Sequence, residues 1–233
     1  MNPLNISNIE LYYASPDSTG KNIIRITGDE LSHIIRVMRH KTGDKLFVTD
    51  GKGRIYETII MRISSDVIEV KINEEYTFEN ANNNIYFCVP KLKSADRFET
   101  ALEKCTELGI TNFIVFNSDR SIRKGNKSER WEKIIRGAMK QSLRSYLPSV
   151  TIIDSPDEIT AREGQIILLS QESDRVFTRE VIKEKANYYL VFGPEGDFSE
   201  REKKMFDRQH IYNLGHYRLR SETAIIKCAS ILS

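Results

Sequence analysis

Residues 188–196, YYLVFGPEG, and residues 214–224, LGHYRLRSETA, decide how this chain is read. The apolar run 188–192 stops at Gly193-Pro194-Glu195-Gly196. Asp197 and Phe198 follow, and Ser199 with Glu202 three residues later has the spacing of a capping box. A strand, a glycine turn and a capped helix form the unit with which α/β proteins hold a ligand at the carboxyl end of a sheet. The second stretch repeats the pattern. Residues 211–214 read as a short strand, Gly215 as its break, and Ser221 as the N-cap of a last helix made mostly of small or apolar residues. Two loops that each run into a helix N-terminus predict one site built from both.

Other phosphate-binding motifs do not fit. There is no GxxxxGK[ST], and GPEG is not GxGxxG and lies too late to open a Rossmann unit. Alone, GPEG also reads as a tight turn. Paired with LGHYRLRSETA at this spacing, it resembles the signature of the SPOUT class of methyltransferases. Within that class the chain is similar to the RsmE family of small-subunit ribosomal RNA uridine-N3 methyltransferases. The likeness reaches back to about Leu31. His33-Ile-Ile-Arg36-Val-Met-Arg39, Gly43-Asp44 and Asp50-Gly51-Lys52-Gly53 are similar to the family's HxxxVLR, GD and DGxG series. Residues 91–109, KLKSADRFETALEKCTELG, resemble its K…R.E…K..ELG helix, and Gln141-Ser142-x-Arg144 its QSxR segment. Three positions depart from the family pattern. Asp197 stands where a second glycine is usual, Lys140 where glutamate is usual, and Leu11 where many members carry arginine.

Composition bounds the answer. With 233 residues the chain holds one large domain or two ordinary ones. Three cysteines without a CxxC argue against a disulfide framework and a zinc ribbon, and the four histidines show no metal spacing, so no metal site is expected. Cys88, Cys105 and Cys228 read as buried small hydrophobes in a reducing compartment. No apolar run approaches a membrane span, and residues 1–10 lack a basic and an apolar region. The expected location is the cytoplasm. The net charge is only +2, yet residues 119–148 carry +6 and the rest −4. Basic residues recurring on a helix beside Trp131 and Tyr146 fit a footprint for RNA phosphates, although such runs are also ordinary solvated faces.

Along the chain, residues 22–27, 45–50, 54–63 and 67–72 read as strands, with a turn at Gly51 and Gly53. Thr27 and Glu30 form a second capping-box spacing before a helix with Leu31, Ile34, Ile35 and Met38 on its apolar face. Residues 74–84 read as a linker. Beyond it, strands at 85–89, 112–116, 165–169 and 188–192 alternate with helices at 95–108 and 128–143, and the last two strands each lead into a helix. This alternation predicts a parallel sheet with helices on both faces. The resemblance implies the rest of the architecture: a PUA-like RNA-binding β-barrel over 1–74, then a SPOUT α/β domain over 80–233 with a trefoil knot, which ordinary topology rules would forbid. It also implies a homodimer, packed through the apolar last helix.

Methylation at uracil N3 needs a ring nitrogen without its proton, so a base or a stabiliser of the anion is required. The resemblance implies S-adenosylmethionine as cofactor, held by backbone groups of three loops. The first comprises Leu169 and Ser170 and continues to Glu172. The second runs from Phe192 through Gly193, Pro194, Glu195 and Gly196. The third includes Leu214, Gly215, Leu219, Arg220, Ser221, Thr223 and Ala224. Glycine permits the close approach. Arg220 is the candidate stabiliser of the uracil anion, and Glu222 or Glu195 the candidate proton acceptor. Glu222 also fits a helix first turn for dipole reasons, with Arg220 as its ion-pair partner. Arg36, Arg39, Lys91, Lys93, Arg130, Lys133, Arg136 and Arg144 are the candidate RNA-gripping residues. The RNA partner implied is 16S rRNA in the small ribosomal subunit. Two further readings stay open: a non-catalytic RNA-binding or assembly protein, and a SPOUT enzyme for another RNA site.

Overall fold

A computed structural model of the chain describes residues 9–120, 127–183, 185–206 and 210–233. Of the sequence readings, Arg123, Lys124 and most of the N-terminal ten residues lie outside the described residues. The chain divides into two units: Met1–Ala81 with Met139–Leu147, and Asn82–Ala138 with Pro148–Ser233.

The first unit holds strands β1 (Leu11–Tyr13), β2 (Ile23–Ile26), β3 (Lys45–Thr49), β4 (Arg54–Ile63) and β5 (Ile68–Thr77), with helix α1 (Gly28–Ser32) between β2 and β3. They form one sheet in the order β1-β3-β4-β5-β2. The two sheet edges share one core: Tyr12 and Ala14 pack in a cluster with Ile24, Ile26, Val48, Ile60 and Val70. Alternation of apolar residues drives this curl, since β2 and the first part of β5 bury every second side chain. The DGKG turn needs its glycine: at Gly53, with φ +99°, a Cβ would collide with the Tyr146 ring, whose hydroxyl donates to the Phe78 carbonyl at 2.9 Å.

Three expectations for this unit are corrected. The linker read at 74–84 starts too early, because β5 continues through Thr77, paired with β4 from Arg54↔Thr77 to Glu57↔Glu74. Its charged residues hide the strand, and pairing rather than burial holds it. The Thr27 capping box is not made: the Thr27 side chain accepts no cap hydrogen bond, and Glu30 is engaged by Lys140. The helix is one α turn followed by a π turn over His33–Val37; of its expected apolar face Leu31, Ile34 and Ile35 pack in the core, and Met38 is exposed. Strand β1, parallel to β3, was not expected.

The second unit follows the predicted alternation. Its elements are β6 (Ile85–Pro90), α2 (Ala95–Glu107), β7 (Asn112–Phe116), α3 (Ser128–Gln141), β8 (Ser149–Ile153), α4 (Asp157–Thr160), β9 (Gln165–Leu169), β10 (Tyr188–Phe192), α5 (Glu200–Lys203), β11 (Ile211–Tyr212) and α6 (Ser221–Leu232). The unit boundary falls inside α3. Six strands form one sheet in the order β11-β9-β10-β6-β7-β8, and every pairing is parallel. The innermost strand β10 is buried at all five positions, which is why it reads as an unbroken apolar run. Helix α2 buries Phe98, Ala101, Leu102 and Cys105, and all three cysteines are free and buried.

Details differ from expectation here too. Helix α3 ends at Gln141, and Leu143 turns into positive φ at +57°. Strand β8 was missed because its burial alternates and leaves no apolar run. Strand β9 leads into a loop with one 3₁₀ turn, Arg179–Val181, rather than a helix. The N-cap of α6 is Arg220, with extended backbone at φ −69° and ψ 155°, and Ser221 is the first helical residue.

Candidate functional site

Strands β9, β10 and β11 all run in one direction, so their carboxyl ends and the loops that follow share one edge of the sheet. These loops and the start of α6 line a cleft of about 640 Å³, within the range of small-molecule and cofactor sites. Of the predicted cofactor residues, Leu169, Ser170, Phe192, Gly193, Pro194, Glu195, Leu214, Gly215, Leu219, Arg220, Ser221 and Ala224 line it. Gly196 and Thr223 do not. The Gly196 carbonyl instead accepts a hydrogen bond from Arg120 Nη1 at 2.9 Å, and Thr223 is exposed on the first turn of α6.

Local chemistry explains how the loops hold their shape. Asp197 has φ +60°, a left-handed conformation that glycine adopts freely and aspartate tolerates better than most residues. Its Oδ1 accepts the Phe198 N–H at 2.8 Å, and its Oδ2 lies 2.8 Å from Lys203 Nζ. Aspartate is thus held in a backbone conformation that glycine would adopt freely. Lys203 also reaches Glu172 Oε1 at 2.9 Å, joining the loop after β9 to the loop after β10. Both carboxylates raise the pKa of the Lys203 amine, Asp197 the more.

The capping box at Ser199 forms as predicted, with Ser199 and Glu202 exchanging hydrogen bonds. Glu202 is fully buried and accepts from Ser199 N–H at 2.8 Å, Asp119 N–H at 2.9 Å and Ser118 Oγ at 3.1 Å. One carboxylate therefore fixes the start of α5 to the segment after β7. In the third loop, Asn213 Oδ1 accepts the Gly215 N–H at 2.9 Å, and Gln171 Nε2 donates to the Tyr217 carbonyl at 2.6 Å.

The charges of the cleft are largely spoken for. Glu222 faces Arg97 Nε at 3.5 Å, not Arg220 as the sequence suggested. Its second oxygen is buried and has no hydrogen-bond partner among the described residues. Glu195 accepts the Lys93 N–H at 2.9 Å. Arg220 and Arg218 are exposed, and no ion pair engages either among the described residues. Arg97 and Lys203 escaped the sequence reading as site residues, whereas Gln171 and Tyr217 lie in loops that the sequence had already placed at the cofactor. Only Arg97 carried a signal, as the arginine of the segment 91–109.

The candidate RNA residues divide between the two units. Arg36, Arg39 and Arg144 are exposed in the first, and Arg39 has φ +59°. Lys93, Arg130 and Lys133 are exposed in the second, Arg130 pairing with Glu99 at 2.6 Å, while Arg136 is half-buried. Lys91 is buried, and desolvation lowers its pKa. No three His, Cys, Asp or Glu side chains among the described residues could hold a metal ion. No described helix is long and apolar enough to cross a membrane.

Comparison with known proteins decides the family. The RNA methyltransferase domain model matches residues 79–233, and the RNA methyltransferase PUA domain model matches residues 26–73. Ribosomal RNA small subunit methyltransferase E of Bacillus subtilis is 30% identical over 227 residues, covering 89% of this chain and 88% of that one. The chain belongs to the ribosomal RNA small subunit methyltransferase E family. The Aquifex aeolicus member is 29% identical over 91% of this chain and 94% of its own. In structure, a probable rRNA-methyltransferase of Porphyromonas gingivalis superposes with a TM-score of 0.81 at 27% identity, covering 95% of each chain. A family member of Neisseria gonorrhoeae, crystallised bound to S-adenosyl methionine, shares the fold with a TM-score of 0.80 at 24% identity and 95% coverage of each chain. The family's architecture, an N-terminal PUA domain followed by a SPOUT α/β domain with a parallel sheet, is that of this chain.

Proposed function

We propose that this protein methylates N3 of a uridine in small-subunit ribosomal RNA, using S-adenosylmethionine, in the cytoplasm and as a homodimer. One observation carries the reading: a cleft at the carboxyl ends of β9, β10 and β11 whose acids are engaged and whose Arg220 is not. Its size and lining suit the cofactor. Leu169, Phe192, Leu214 and Leu219 offer apolar contact, and the glycine turns offer backbone N–H and C=O groups. When bound, S-adenosylmethionine supplies an electrophilic methyl group. Arg220 stabilises the uracil anion as N3 loses its proton. Glu222 is the candidate acceptor of that proton, and Arg97 holds it at the cleft wall.

The test is methyl transfer from labelled cofactor to small subunits prepared from cells lacking this modification, followed by digestion to nucleosides. The reading expects label in 3-methyluridine alone. Label in another nucleoside would reassign the target, and no label with bound cofactor would favour a non-catalytic RNA-binding role.

Gly193 offers a check on the cofactor site. A Cβ there would meet Phe198 at 3.5 Å, an ordinary contact, and its φ is not in the left-handed region. Gly193→Leu should therefore leave the melting temperature nearly unchanged while weakening cofactor binding by at least tenfold in calorimetry. Equal affinity would exclude this turn from the site. For RNA, neutralising Arg130, Lys133 and Arg136 together should weaken binding and reduce the salt slope by roughly one unit per lost phosphate contact. An unchanged slope would make α3 a solvated face.

A further inference from the structure

Tyr217 lies on the lip of the cleft, in the loop before α6, and is 86% exposed. Leaving an aromatic ring in water forgoes the stabilisation of burial, and single exposed rings need no explanation on an ordinary surface. This ring is not on an ordinary surface. Its backbone is fastened, because the Tyr217 carbonyl accepts Gln171 Nε2 at 2.6 Å across the cleft's loops. No aromatic contact engages the ring among the described residues. The next residue, Arg218, is exposed and without an ion pair among the described residues, as is Arg220 two positions on. Every acid lining the cleft has a partner: Glu172 and Asp197 hold Lys203, Glu195 holds the Lys93 N–H, and Glu222 faces Arg97. Among the described residues, the flat ring of Tyr217 and the guanidinium groups of Arg218 and Arg220 are thus exposed at the cleft with no ring contact or ion pair.

We propose that Tyr217 and Arg218 form a nucleotide platform, the ring stacking on a splayed base of single-stranded RNA and Arg218 binding an adjoining phosphate. The proposal rests on the RNA methyltransferase reading of the same cleft. A base inside a folded RNA cannot reach a cleft without being unstacked, and an exposed ring at the entrance replaces part of the stacking it loses. A ring recognises any base by its face, so this platform supplies affinity and orientation, and selection of uridine falls to groups deeper in the cleft.

The experiment uses the full chain and a fluorescent single-stranded RNA containing uridine, with binding read by anisotropy. Methyl transfer to small subunits is measured in parallel. Tyr217→Ala should weaken RNA binding about tenfold, in the range for loss of one stacked base. Tyr217→Phe should restore it, because the ring and not the hydroxyl makes the contact. Arg218→Gln should lower the salt slope by about one unit. Cofactor affinity, by calorimetry, should stay within about twofold in all three. Equal RNA binding by Tyr217→Ala, or failure of phenylalanine to rescue it, overturns the platform. So does a fall in cofactor affinity that matches the loss of RNA binding, or a shift of Tyr217→Ala to a smaller mass in light scattering, which would bury the ring between two copies. If the wild-type protein transfers no methyl group, the enzymatic reading fails by itself, and the anisotropy series still decides the platform.

Discussion

Arg220→Ala should slow single-turnover methyl transfer about a hundredfold or more while changing cofactor affinity little. The size follows from the role. A guanidinium that meets charge only as the uracil anion develops stabilises the transition state more than the bound substrate, and removing one such donor from a partly dry site costs about 3 kcal/mol. The position fits. Arg220 is the N-cap of α6 and lines the cleft, its side chain makes no capping bond, and no carboxylate among the described residues neutralises it. Arg220→Lys should recover only part of the rate, because a point charge does not reproduce a planar fork. An intact rate in Arg220→Ala, or a rate and a cofactor affinity that fall together, would make Arg220 a structural residue of the helix start.

Glu202→Ala should lower the unfolding free energy by roughly 3 kcal/mol or more in urea titrations, an unusually large effect for a residue on a one-turn helix. Glu202 is fully buried, and its two oxygens take three donors: the N–H groups of Ser199 and Asp119 and the Ser118 hydroxyl. Alanine removes the acceptor that all three share, and the Ser118 hydroxyl among them is buried. Glu202→Gln should restore less than half of the loss, because one amide NH₂ must then face a donor on whichever side it is placed. Cofactor binding should weaken in both variants, since the same carboxylate anchors the segment that continues from the GPEG turn. A loss under 1 kcal/mol would mean that water replaces these bonds and that the anchor is not structural.

The parts of the fold that were legible are those in which local chemistry and tertiary packing agree. Strand β10 reads as a strand because every side chain is buried in the middle of a parallel sheet. The Ser199 capping box could be read because its partner is three residues away and nothing distant competes for it. The Thr27 box has the same spacing and is not made, and Glu30 instead pairs with Lys140, 110 residues along the chain. The continuation of β5 through charged residues and the alternating strand β8 carried no apolar run to betray them.

The site divides along the same line. Its loops announced themselves through glycine, proline and the capping pair. The residues that tune the loops did not, because their roles depend on contacts across long sequence gaps. Lys203 became visible only when Glu172 and Asp197 were found on either side of it, and Arg97 only when it was found facing Glu222. Asp197 shows the reverse. An aspartate that the sequence reading marked as a departure is understood at once when its φ of +60° and its bond to the Phe198 N–H are known.

A crystal structure of the protein grown with S-adenosylmethionine tests the central claim most directly. The account predicts the cofactor in the cleft among the loops at 170–172, 193–197 and 214–221, hydrogen-bonded chiefly to backbone groups, with the Arg220 side chain left free toward the open side. Cofactor density elsewhere on the molecule, or Arg220 consumed in holding the cofactor, would contradict it.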